Sequence, residues 1–104
     1  MDIAMGSPDD ALEDRLDAVA RYLQEEFPDR RVLTPVRNVL ERIYAFTLPG
    51  NPPHFVSVSE EFLNDHPAPE IATLLLEWAL GSMLRTTRRR RVIVTTAGLG
   101  FGPM

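Results

Sequence analysis

Cysteine does not occur in the 104 residues. Disulfide staples, thiolate-held zinc, iron–sulfur clusters and thiol nucleophiles are thereby excluded. Lysine is missing too, and all 11 basic side chains are arginine, whose flat fork of donors holds its charge under ordinary conditions. No apolar run is long enough to span a bilayer, because the greasiest stretch, residues 74–80, is interrupted by Glu77. The opening, Met1-Asp2-Ile3-Ala4-Met5-Gly6-Ser7-Pro8-Asp9-Asp10, is acidic and lacks the basic and apolar regions of an export signal. A cytoplasmic location is the resulting expectation.

What is present is an ordinary globular balance, 44% apolar and 25% charged residues. The formal net charge of −4 hides a gradient. Residues 1–30 hold nine acids and three arginines, whereas residues 85–104 hold five arginines and no acid. An acidic head and a basic tail suit pairing within one molecule or between two copies.

Residues 1–7 are expected to be a flexible lead-in. Ser7-Pro8-Asp9-Asp10 then has the chemistry of a helix start: a side-chain acceptor, proline at the first helical position and acids at the positive end of the dipole. Leu12, Leu16, Val19, Leu23 and Phe27 form one apolar stripe, and Phe27-Pro28 ends the helix. The β-branched and aromatic run before Pro49-Gly50-Asn51-Pro52-Pro53 predicts a hairpin. Its first strand is expected over residues 40–48, with a short helix at 36–41 as the alternative; its second strand is expected to start at His54. Val56 and Val58 would share one face, Phe55 and Ser57 the other.

Ser59, followed by Glu60 and Glu61, predicts a brief capped helix to Asn64. Residues 70–85 then read as one long helix, apolar around most of its girth. A strand is expected at Val92-Ile93-Val94-Thr95-Thr96. The predicted fold is therefore α+β, a three-stranded sheet packed against two main helices in the order α-β-β-(short α)-α-β. Residues 8–97 form the single domain of that reading, and residues 98–104 a flexible glycine-rich tail.

The chemistry-bearing residues assemble into no catalytic set, so the expectation is no enzyme and no cofactor. His66, with Asp65 and Glu70, has metal-ligand chemistry, but Pro67 and Pro69 interrupt the helix that would align them. His54, Ser57 and Ser59 lack the glycines of a nucleophile elbow, and Ser57 is read as a strand serine facing water. Glu77 is expected at an exposed helix edge or paired with Arg37, Arg42 or Arg91. Gly98-x-Gly100-x-Gly102 has the wrong spacing for a phosphate loop.

Two surfaces remain as candidates. Leu76, Leu80, Met83 and Leu84 on the long helix form a candidate protein interface. Arg88-Arg89-Arg90-Arg91 form a candidate contact for anions or nucleic acid. The expected function is a non-enzymatic protein-binding or adaptor domain, with a protein or a second copy as partner and no membrane. A nucleic-acid-binding module using the arginine cluster is the alternative.

Two resemblances accompany this reading. The stretches at residues 55–63, 70–80 and 91–99 resemble small proteobacterial proteins, a resemblance that implies no activity. The element order is similar to the bacterial type of KH domain, which grips nucleic acid with a Gly-x-x-Gly loop between two helices. The matching position here, Asn64-Asp65-His66-Pro67-Ala68-Pro69, has no glycine and carries an acid.

Overall fold

The computed structural model describes residues 8–87 and 91–102. The expectations for residues 1–7, for Arg88, Arg89 and Arg90 and for residues 103–104 fall outside them. Helix α1 (Pro8–Glu26) buries Val19 and Leu23 from the expected stripe, with Phe27 just beyond its end. The stripe is wider than the leucine spacing implied, because Tyr22 is buried beside Leu23.

The sheet has five strands in the order β1-β2-β3-β4-β5 rather than three. Strands β2 (Ile43–Leu48) and β3 (His54–Ser59) form the expected hairpin. The first of them begins at Ile43, not at residue 40, and no helix forms at 36–41. Residues 36–38 are instead a strand, β1 (Val36–Asn38), which turns back onto β2. Asn38 Oδ1 accepts from the Glu41 N–H at 3.0 Å, and Arg42 adopts a φ of 57°, so residues 39–42 close a tight reversal.

Strand β4 (Arg91–Thr95) lies parallel to β3, which requires a crossover; the helices between them supply it. Strand β5 (Gly98–Gly102) then pairs antiparallel with β4 along its whole length, where a frayed tail was expected. Thr95 and Gly98 flank a two-residue turn, and Gly98 takes a φ of 122° that a side chain would resist.

Helix α2 (Glu60–Asp65) starts as expected, the Ser59 hydroxyl accepting from the Phe62 N–H at 3.0 Å. The predicted long helix is two: α3 (Ala68–Glu77) and α4 (Leu80–Thr86), separated at Ala79, whose φ of 57° is left-handed. In one unbroken helix, Leu80 would sit about 140° around the axis from Leu75. The break turns both into the same core, where Ile71, Leu75, Leu80 and Leu84 are all buried. A left-handed alanine costs about 1–2 kcal/mol, less than roughly 1.5–3 kcal/mol for each leucine the turn buries. Apolar residues all around residues 70–85 thus encode two helices with differently directed faces.

The helices gather on one side of the sheet. Val19, Tyr22, Leu23, Phe62, Leu63, Ile71, Leu75, Leu80 and Leu84 form one core with the sheet residues Tyr44, Phe46, Leu48, Val56, Val58, Val92 and Val94.

Candidate functional site

Strand register assigns the other face of the sheet. Directly paired residues share a face, so Val36, Ala45, Ser57, Ile93 and Gly100 form one row across all five strands. A second row runs Thr47, Phe55, Arg91 and Gly102; Asn38, Ile43 and Ser59 pair in line at one end of the face, as do Thr95 and Gly98. Among the described residues no helix covers these rows. Apart from Arg91 they carry no charge. All three β5 glycines fall on this side, which keeps that end of the face flat. At Gly102 a Cβ would lie 2.7 Å from Ile93 Cδ1, so the absent side chain makes room for its neighbours.

A cleft of about 230 Å³ opens on this face, lined by Ala45, Phe46, Thr47, Phe55, Val56, Ser57 and Arg91. Ser57 is 0% exposed, and its hydroxyl has no hydrogen-bond partner. Nε of Arg91 is covered and unpartnered in the same way. Its Nη1 lies 3.9 Å from Glu41 Oε1, a loose pair that brings one acid to the rim of the face. Alternation along β3 had correctly placed Ser57 and Phe55 together, but not facing water: neighbouring side chains close over the serine.

At the β1 corner the face runs into exposed apolar surface. Val36 is 69% exposed and Leu40 96% exposed, with Val39 also open to solvent. Two of the four residues expected to form an interface on the long helix belong to the core instead. Leu80 and Leu84 are buried and Met83 packs partly against the core, which leaves only Leu76 exposed, at 64%. Of the arginine cluster only Arg91 is described, and it turns onto the sheet instead of standing in a solvated basic patch.

The remaining candidates take other roles. His54 is buried, not in a loop, and its ring packs on Phe27 at 5.0 Å. Burial, reinforced by Arg30 and Arg85, lowers its pKa below the usual 6.5. A depressed histidine favours the folded state in full above about pH 6.5, and that stability is lost as pH falls through the lowered value. Melting temperature is therefore expected to drop on acidification below pH ~6.5 in the native chain. The drop should be smaller in His54→Phe; equal slopes by circular dichroism would contradict the assignment.

His66 packs on the Phe62 ring at 4.8 Å and has Nδ1 3.6 Å from Glu70 Oε1. Among the described residues no three His, Asp or Glu side chains converge on a metal-sized site. Glu77 is exposed at the end of α3, the edge position. Of its three suggested partners, Arg37 instead pairs with Glu60 at 2.9 Å.

A wider groove of about 570 Å³ between α1 and α3 is lined by Asp14, Asp17, Arg21 and Glu25. It is a solvated charged surface. No helix of the described residues is long and apolar enough to cross a membrane. Compared with protein-family models, with curated proteins and with solved structures, the chain shows no match.

Proposed function

We propose that the chain is a non-enzymatic protein-binding domain that associates with a second copy of itself through the helix-free face of its sheet. The observation that carries this is the makeup of that face: Val36, Ala45, Phe55 and Ile93 on one surface, flanked by a glycine strand and left without a helix. Apolar sheet faces are normally packed against something.

Charge supports a second copy as the occupant. Among the described residues the face carries one cation, Arg91, and one acid at its rim, Glu41, only loosely paired within the chain. A surface bearing both signs is self-complementary about a two-fold axis, each cation meeting the other copy's acid. Size sets the strength. Five strands about 4.8 Å apart and roughly 17 Å long give a projected area on the order of 400 Å², which with the β1 corner corresponds to a weak dimer. Among the described residues that line the cleft with Ser57 there is no His, Asp or Glu to act as a base, which supports a binding role over nucleophilic chemistry.

Sedimentation velocity from about 10 to about 500 μM tests the reading. The native chain is expected to shift from monomer to dimer with concentration. Val36→Glu, at an exposed position that the fold does not need, should remain monomeric with an unchanged circular dichroism spectrum. Leu76→Glu on α3 should dimerise as the native chain does. A native chain that stays monomeric throughout, or a dimer lost in Leu76→Glu and kept in Val36→Glu, overturns the proposal.

A further inference from the structure

Leu40 is 96% exposed, the most open large apolar side chain among the described residues, and Val39 beside it is open as well. The tight reversal between β1 and β2 holds both in place, since the Asn38 side chain accepts from the Glu41 N–H and Arg42 takes a positive φ. A lone exposed leucine is ordinary. One fixed by its backbone at the border of an apolar face is different, because docking it elsewhere costs little ordering and no packing at home.

The same face holds a seat of matching kind. Its cleft of about 230 Å³ has Ala45, Thr47 and Phe55 among its walls, largely carbon, together with Arg91. That volume falls below the roughly 300–1,000 Å³ of drug-sized ligand pockets and suits one aliphatic side chain.

Charge complementarity points to a second copy as the source of that side chain. Glu41 follows Leu40 directly in sequence, and Arg91 lines the cleft. Knob and seat thus each carry one charge, of opposite sign. Within one copy Arg91 Nη1 and Glu41 Oε1 stand 3.9 Å apart, too far for a hydrogen bond, and the two side chains are 26% and 55% exposed. Their closeness also places knob and seat near each other. A two-fold axis between them sets each Leu40 over the other copy's cleft and each Glu41 beside the other copy's Arg91.

We infer that Leu40 is the anchor of the self-association proposed above, seated in the cleft of a second copy with Glu41 paired to that copy's Arg91. The inference rests on that reading and names its central contact.

Sedimentation velocity over the same concentrations tests it. Leu40→Ser should weaken the dimer by about a hundredfold, about tenfold for each of two equivalent anchors, and keep the native circular dichroism spectrum. Glu41→Arg and Arg91→Glu should each be monomeric alone, since every pair between copies is then like-charged. Mixed in equal amounts they should dimerise: both pairs between copies become opposite in sign, while the pair within each chain stays like-charged. An ion pair confined to one copy cannot produce that rescue.

A native chain that dimerises, with Val36→Glu monomeric and Leu40→Ser dimerising unchanged, overturns the inference and leaves the self-association standing. A mixture no more dimeric than its two components overturns it too, provided Arg91→Glu keeps its circular dichroism spectrum; otherwise the Leu40→Ser result decides alone. A native chain that stays monomeric throughout overturns both.

Discussion

Phe62→Ala is expected to cost about 3–5 kcal/mol, a large part of the roughly 5–15 kcal/mol that holds a domain of this size together. Phe62 is 0% exposed on a helix of only six residues, and α2 owes its position to that ring. It packs against Trp78 at 5.7 Å and His66 at 4.8 Å, joining the short helix to the reversal after α3 and to its own C-terminal end. The surrounding contacts prevent easy collapse into the void. Arg15 of α1 donates to the Leu63 carbonyl at 2.8 Å, and the Ser59 hydroxyl fixes the first turn at 3.0 Å. The neighbours are therefore held apart, and the cavity term adds to the lost burial.

Urea denaturation should show the loss, with melting displaced downward on the order of 20 °C. Phe62→Leu, which keeps most of the volume, should cost far less. A Phe62→Ala penalty below about 1 kcal/mol would mean that the core does not close around this residue.

Much of this architecture was legible because side-chain periodicity encodes it. The α1 stripe, the serine before two glutamates at α2, and the alternation of Val56 and Val58 each imply one local geometry. What escaped was set by partners distant in sequence. Strand β5 has glycine at every second position, so it offers no alternation to read; pairing with β4 makes it a strand. The left-handed residue at the break between α3 and α4 is an alanine, and the nearest glycine, Gly81, already lies inside α4. The break occurs at Ala79 because the core takes Leu75 and Leu80 together. For Ser57, alternation assigned the face correctly, but whether that face is wet depends on Phe55 and Arg91 beside it. The same dependence on distant partners buries Leu80 and Leu84, two of the four residues read as an interface.

Tyr22→Phe carries the other large expected effect, about 1–3 kcal/mol, although it removes one oxygen atom. Helix α4 begins at a left-handed alanine that offers no side-chain cap. The Gly81 N–H at its start donates instead to the Tyr22 hydroxyl at 3.0 Å, across 59 positions of sequence, in a buried site. The cap is thus supplied by another helix. Arg85 strengthens the same junction by donating to the Glu26 carbonyl at 2.8 Å and to its carboxylate at 3.0 Å. Phenylalanine fills the same space but leaves a buried amide unmet, so the loss should appear in stability and not in shape.

Alkaline titration gives an independent check. Burial raises the Tyr22 pKa above 10.0, with the Gly81 amide and Arg85 opposing the rise and Glu26 adding to it. A raised tyrosine contributes stability in full below about pH 10 and loses it as pH climbs through the folded value. Lysine and cysteine, which would crowd that window, are absent from the chain. Resistance of the native chain to denaturation is therefore expected to weaken above about pH 10, while Tyr22→Phe starts lower and declines less. Parallel declines in the two proteins would show that the hydroxyl is not held at the junction of α1 and α4.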